Sequence, residues 1–102
     1  KLEEGKNNAW LHAALGAAYA KIGRRGDAIN ELVLALDLDL SKDDVLDTKK
    51  NLAREYALQG LELEKLGKRD EAFDLFKKAH ELNPSNPNIE KQYERLKKML
   101  EK

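Results

Sequence analysis

The feature that most constrains the fold is an internal repeat with a period of 44 residues. The recurring positions are small or apolar, and they pair Gly16 with Gly60, Gly23 with Gly67, Ala28 with Ala72, Ala35 with Ala79 and Leu38 with Leu82. The segments GRRGDAINELVLALDLD and GKRDEAFDLFKKAHELN align without an insertion. A fixed period of this length is the signature of stacked repeats, so each copy is expected to be one supersecondary unit.

The clearest helix lies between Leu66 and Pro84. Its apolar residues recur every three or four positions, at Ala72, Phe73, Phe76, Ala79 and Leu82. This spacing places them in one stripe about 100° wide. Proline cannot continue a helix and restricts the residue before it, so Asn83-Pro84 ends the segment. The pattern predicts a helix over about 69–82, after a turn at Gly67.

The first helix is predicted to begin at about Ala9. The polar residues 1–8 are interpreted as a frayed end or the tail of a preceding element, with Asn7 or Asn8 as the N-cap. Gly16 costs about 1 kcal/mol relative to Ala inside a helix, so it is expected to mark a tight helix crossing. The predicted inner face comprises Leu11, Leu15, Ala18, Tyr19 and Ile22.

Helix-capping residues and the spacing of apolar residues predict three more helices. The second covers about 25–39 and is expected to bury Ala28, Ile29, Leu32, Ala35, Leu36 and Leu38. A long third helix over about 42–66 starts after Ser41, which forms a near capping box with Asp44. Its expected inner stripe is Val45, Leu52, Tyr56, Gly60 and Leu63. The fifth begins at Pro87 after the cap Asn86, with an apolar stripe at Ile89, Tyr93, Leu96 and Leu100.

The composition favours helices and argues against several functions. Ala, Leu, Glu and Lys dominate, and these are good helix formers. The net charge is zero, from 19 basic and 19 acidic residues, so no global field directs the protein to nucleic acid or a membrane. There is no cysteine for a disulfide, a thiolate nucleophile or a Cys-type zinc site. No apolar run approaches the roughly 20 residues of a membrane span. We predict no nucleic-acid partner, no membrane span and a cytoplasmic location.

The residues around the repeated glycines resemble a tetratricopeptide repeat (TPR), whose pattern is W-x2-L-G-x2-Y, then Ala-x3-Phe, then Pro. The first copy matches this pattern at Leu15, Gly16, Tyr19, Ala28 and Leu32. It has His12 where the pattern has Trp and Leu40 where the pattern has Pro. The second copy meets it with Tyr56, Gly60, Leu63, Ala72, Phe76 and Pro84, but has Gln59 for Leu. Because a TPR unit has 34 residues, about ten extra residues lie between the copies, within 40–51.

The resemblance implies an all-α solenoid of two antiparallel helix pairs plus a C-terminal capping helix. Repeat one would cover about 9–40, an extended repeat two about 42–84, and the capping helix about 87–101, within a single domain of residues 1–102. TPR proteins typically bind peptides or helices in a concave groove lined by the first helix of each repeat. The matching positions, called here the groove residues, are Trp10, Ala13, Ala17, Ala20, Lys21, Ala57, Leu58, Leu61, Glu64 and Lys65.

The groove residues imply a protein or peptide partner. Chaperone-type TPR domains clamp a C-terminal carboxylate with Lys and Asn, whereas Ala13 and Ala17 stand at the matching places, so the clamp is absent. An alanine floor suits the close approach of a helix, although alanine is also simply the best helix former. Trp10 either anchors a partner or caps the edge of the core. The alternative function is a structural element that forms a homo-oligomer through its long third helix and exposed repeat faces.

The polar patterns do not support catalysis or a cofactor. Asp37-x-Asp39-x-Ser41 mimics the start of a calcium loop, but Lys42 stands where Gly is required and Thr48 where Glu is required. His12 and His80 have no paired Cys or carboxylate motif nearby. We therefore predict no enzyme activity, no metal site and no cofactor.

Overall fold

The structure, a computed structural model, describes residues 2–101 of the chain and the side chains of residues 8–101. Its helices are α1 (Leu2–Lys21), α2 (Arg25–Asp37), α3 (Lys42–Lys65), α4 (Arg69–Leu82) and α5 (Pro87–Leu100). No strand occurs in the described part. The prediction of an all-α fold with five helices is confirmed. The chain divides into two compact units, Lys1–Glu55 and Tyr56–Lys102, and α3 contributes residues to both.

In the first unit, α1 and α2 form an antiparallel pair whose backbones come close together at Gly16. A Cβ atom added to Gly16 would lie 2.7 Å from Cγ of Leu32 and 3.2 Å from the carbonyl oxygen of Ala28. The turn between the helices uses Gly23, whose φ of 82° suits glycine. The N–H of the next residue, Arg24, donates to the carbonyl oxygen of Tyr19 at 2.9 Å. The tight crossing predicted at Gly16 is confirmed.

The inner face predicted for α1 is wrong. Four of its five residues are exposed, namely Leu11 (54%), Leu15 (42%), Ile22 (68%) and Ala18. The side of α1 that is buried carries Ala9 and Gly16, with His12 and Tyr19 half-buried beside them. The physical reason is the close approach of the two helix backbones. Leu32 of α2 fills the space over Gly16, so large aliphatic side chains do not fit on this side of α1.

Three smaller predictions also fail. The first helix begins at Leu2, so neither Asn7 nor Asn8 is its N-cap. Leu2, Glu3, Glu4 and Lys6 are good helix formers, and the helix includes them although the segment lacks apolar periodicity. Leu38 is exposed because α2 ends at Asp37, and the extended backbone of Leu38 (φ −104°, ψ −176°) takes it off the helix face. Leu100 is exposed in the last turn of α5.

The second unit is built around Phe76. Buried Ala72, Phe76 and Leu96 form its core, and the partly buried residues packed against them are Ala57, Leu63, Phe73 and Tyr93. Gly60 lies close against Phe76, in the same way that Gly16 lies close against Leu32. A Cβ atom added to Gly60 would lie 2.9 Å from Cε2 of Phe76. Gly67 has a φ of 83°. Each unit therefore has the same crossing and the same turn, 44 positions apart.

The predicted helix starts at Ser41 and Asn86 are confirmed. The N–H of Asp44 donates to Oγ of Ser41 at 3.2 Å, at the start of α3. Oδ1 of Asn86 accepts from the N–H groups of Asn88 at 2.9 Å and Ile89 at 3.1 Å, and Pro87 occupies the first helical position of α5. These side chains satisfy backbone donors that have no partner within the helix.

Candidate functional site

The groove residues of the first unit lie along α1. Trp10 is 56% exposed and Lys21 is exposed, whereas Ala13, Ala17 and Ala20 are half-buried between them. At about 100° per residue these five positions share one side of the helix. This side of α1 is therefore a shallow apolar strip of alanines, with an indole ring near one end and an ammonium group at the other.

The groove residues of the second unit lie on the C-terminal half of α3. Ala57 is half-buried and packs against the core of this unit. Leu58 and Leu61 are each 38% exposed, and Lys65 is also exposed. The two leucines are about one helical turn apart on the same side of α3. This side thus presents apolar surface to solvent, next to one positive charge.

Glu64, the remaining groove residue, forms an ion pair with Arg95 of α5, and both residues belong to the second unit. Nη1 of Arg95 donates to Oε2 at 2.7 Å and Nη2 donates to Oε1 at 2.6 Å, a bidentate pairing. These hydrogen bonds lower the pKa of the Glu64 carboxyl group, against a smaller opposing effect of burial. Both carboxylate oxygens of Glu64 are therefore already engaged. No sequence pattern pointed to Arg95, because helical periodicity does not fix which side chains meet between helices.

Two polar clusters in the first unit were also not predicted. Nδ1 of His12 lies 2.5 Å from Oε1 of Glu31, across the α1–α2 pair. Glu55 is buried, with its carboxylate oxygens 3.3 Å from Nε of Arg54 and 3.6 Å from Nε of Arg25. A buried carboxylate needs such partners, because removing a charge from water is costly.

The second copy has apolar or aromatic residues where the first has the pair of His12 and Glu31. Tyr56 and Leu75 stand 44 positions later. Nζ of Lys78 lies 5.6 Å from the centre of the Tyr56 ring, and burial raises the pKa of the Tyr56 hydroxyl. The His12–Glu31 contact is therefore particular to the first copy.

Within the described residues, no three His, Asp or Glu side chains gather as a metal site would require. None of the described helices combines the length and the apolar character needed to cross a membrane.

Comparison with known families identifies the second copy. The family model of the tetratricopeptide repeat matches residues 53–86. Residues 53–86, about a third of the chain, are thus similar to a tetratricopeptide repeat. The match begins after the extra residues predicted within 40–51, and it includes the tetratricopeptide positions Gly60, Phe76 and Pro84.

Further comparisons cover curated proteins and solved structures. No curated protein matches the chain. Among solved structures, the chain is similar to the first TPR of Spaghetti (RPAP3), solved with the HSP90 peptide SRMEEVD. The two share 18% identity with a TM-score of 0.44, over 95% of this chain and 96% of that chain. Tetratricopeptide repeats typically serve protein–protein interaction and are not catalytic, so the repeat at 53–86 supports an interaction domain.

Proposed function

We propose that this chain is a non-catalytic interaction domain that binds a peptide or a helical segment through the groove residues of α1 and α3. The observation that carries the proposal is the exposure of Leu58 and Leu61 within the tetratricopeptide repeat. They are large apolar side chains at positions where this family contacts its partners. The exposed ring of Trp10 supports an anchoring role on α1 over a role in capping the core.

The partner is proposed to present an apolar helix face or an extended apolar segment. Alanines at 13, 17 and 20 provide no hydrogen-bond donors for a carboxylate, and Glu64 is engaged by Arg95. Recognition would therefore depend on apolar contact, with Lys21 beside the alanines of α1 and Lys65 beside the leucines of α3. Fully burying a leucine side chain contributes about 1.5–3 kcal/mol. Covering the exposed third of Leu58 and Leu61 would contribute about 0.5–1 kcal/mol for each residue.

The test is a peptide-display selection on the immobilised chain, followed by fluorescence anisotropy with the enriched peptides. We expect apolar, helix-forming peptides to be enriched. The double variant Leu58→Glu/Leu61→Glu should weaken their binding at least tenfold, because covering a carboxylate with apolar surface is costly. Lys77→Glu, on the exposed side of α4, is the matched control and should bind like the wild type.

Two results would oppose this proposal. One is the absence of enriched peptides. The other is equal binding of enriched peptides by the wild type and the double leucine variant, with both proteins folded by circular dichroism. The peptide SRMEEVD serves as a further probe. Because Ala13 and Ala17 replace the carboxylate clamp, we expect it not to bind, and tight binding would contradict the apolar mode of recognition.

A second candidate function is a structural element that assembles into a homo-oligomer. Several large apolar side chains remain exposed, and a net charge of zero leaves association unopposed by repulsion. Light scattering after size exclusion separates the two functions. A constant molar mass near 11.6 kDa would leave the groove residues free for an outside partner, and a doubled mass would favour assembly.

A further inference from the structure

The side chain of Arg95 is held in one orientation by two residues of its own helix. Oε1 of Gln92 accepts hydrogen bonds from Nε of Arg95 at 3.0 Å and from Nη2 at 2.6 Å. One turn further along α5, Sδ of Met99 lies 3.7 Å from Nη1 of Arg95. Because these contacts already restrict the guanidinium group, its two hydrogen bonds to Glu64 of α3 require little further loss of side-chain freedom.

Glu64 is the only acidic residue among the groove residues. It follows Leu61 by three positions, so the two side chains are neighbours on the same side of α3. An unpaired carboxylate there would be costly to cover with an apolar partner, whereas a lysine or arginine of the partner would pair with it. Without Arg95, Glu64 would therefore favour a cationic partner.

The pairing with Arg95 removes this preference. Both carboxylate oxygens of Glu64 accept hydrogen bonds from the guanidinium group, at 2.6 and 2.7 Å. These hydrogen bonds are the main cause of the lowered pKa of the Glu64 carboxyl group, and the charge of Arg69 adds a smaller effect. Lys91 and Lys98 are exposed about one turn to either side of Arg95 on α5. A cation of a partner would thus approach positive charge and a carboxylate that is already paired.

We propose that Arg95 determines specificity by excluding partners that carry a lysine or arginine next to the residues facing Leu58 and Leu61. This inference rests on the proposed function, because it concerns the same groove residues. It adds the class of partner, which is an apolar segment without a basic residue at the position that reaches Glu64. Arg95 acts through Glu64 and is therefore a positioning residue.

The pair is expected to control selection while contributing little to the stability of the fold. The Arg95 side chain is 40% exposed and that of Glu64 is 20% exposed, and ion pairs with this much exposure are weak. Arg95→Ala should therefore stay folded, so its binding can be compared with that of the wild type. The same weakness limits the change in selection to about two- to fivefold in affinity.

The test is a lysine scan of one apolar peptide that is enriched on the wild-type chain. Each residue of the peptide is replaced by lysine in turn, and affinities are measured by fluorescence anisotropy. At one or more positions, lysine should improve binding to Arg95→Ala by about two- to fivefold relative to its effect on the wild type. This preference should shrink in about 0.5 M NaCl, because salt screens charges at a protein surface.

Three further variants separate the proposed role from a structural role and from net charge. Glu64→Gln/Arg95→Ala lacks the carboxylate and should show no preference for the lysine peptides. Arg95→Lys keeps the positive charge but loses the planar fork, so its preference should be intermediate. Lys77→Ala, on the exposed side of α4, changes the net charge as much as Arg95→Ala does and should behave like the wild type.

The outcomes distinguish this inference from the proposed function. Equal lysine scans of the wild type and Arg95→Ala would overturn the role of Arg95, although both proteins still bound the parent peptide through Leu58 and Leu61. A preference that persisted in Glu64→Gln/Arg95→Ala would also overturn it, because Arg95 would then repel cations directly and not through Glu64. Failure of the wild type to bind any peptide would refute the proposed function, and this inference with it.

Discussion

The sharpest structural prediction concerns Gly16, where one added carbon atom should destabilise the protein. A Cβ atom there would lie 2.7 Å from Cγ and 2.8 Å from Cδ2 of Leu32. Real Cβ atoms essentially never come within 3.0 Å of a non-bonded heavy atom of this kind, so the neighbour must move. Leu32 is fully buried, so moving its side chain would disturb the packing around it. The carbonyl oxygen of Ala28, at 3.2 Å, moves only if α2 itself shifts.

Two opposing terms give the size of the effect of Gly16→Ala. Replacing glycine by alanine inside a helix stabilises by about 1 kcal/mol. Overpacking a well-filled core typically costs about 1–3 kcal/mol, and the contact here is with a buried branch point and a backbone oxygen, which favours the upper end. The net destabilisation should be about 1–2 kcal/mol. For a domain of this size it lowers Tm by roughly 5–15 °C.

Two other glycines provide matched controls in the same urea-unfolding assay followed by circular dichroism. Gly26→Ala introduces no contact within 4 Å, so it should be neutral or stabilise by up to about 0.5 kcal/mol. In Gly60→Ala the new Cβ atom would lie 2.9 Å from the nearest atom at the edge of the Phe76 ring. This variant should lose less unfolding free energy than Gly16→Ala. The expected order of stability is Gly26→Ala, then Gly60→Ala, then Gly16→Ala. If Gly16→Ala proved as stable as Gly26→Ala, the argument from a close helix crossing would be refuted.

The remaining predictions concern a turn, a cap and an ion pair. Gly67→Ala should lower the unfolding free energy by about 1–2 kcal/mol, because its φ of 83° is strained for any residue with a Cβ atom; an unchanged Tm would contradict this. Asn86→Ala should cost about 1 kcal/mol by removing the α5 cap, whereas Asn86→Ser should retain most of the stability in thermal unfolding. Arg95 lowers the pKa of Glu64, so the stabilisation from this pair is complete above the unfolded-state pKa of about 4.5. It is lost as the pH falls through the lower folded-state pKa. Because Arg95 is 40% exposed, its contribution should stay below about 1 kcal/mol. Urea unfolding at pH 7 and pH 3 should give a smaller difference for Arg95→Ala than for the wild type, and an equal difference would argue against the pairing.

Much of the fold could be predicted from the sequence because glycine and cap residues have local, specific requirements. Gly23 and Gly67 adopt the positive φ that such turns need, and their 44-residue spacing is visible in the sequence. Asn86 followed by Pro87 marks the start of α5 for equally local reasons. These features depend only on neighbouring backbone, so no knowledge of tertiary contacts was required.

The polar contacts could not be predicted, because they depend on which helices meet and at what register. Glu55 is buried beside Arg25 of α2 and Arg54, yet by sequence it is one charged residue among many on α3. Glu64 is equally inconspicuous, although Arg95 engages both of its carboxylate oxygens. The packed arrangement of the helices determines which distant residues meet. The periodicity of residues along a single helix carries no information about that arrangement.

The prediction for the inner face of α1 failed because apolar periodicity shows only that a face is apolar and does not identify what covers it. The periodicity selected Leu11, Leu15, Ala18 and Ile22, which are exposed. The second copy indicates the correct face, since its core-facing residues Tyr56, Gly60 and Leu63 correspond to His12, Gly16 and Tyr19. The small residue Gly16 of α1 packs closely against Leu32 of α2, so the larger aliphatic residues of α1 lie on other sides of the helix. The residues that pack between two helices are therefore selected by the space available at the crossing as well as by their apolar character.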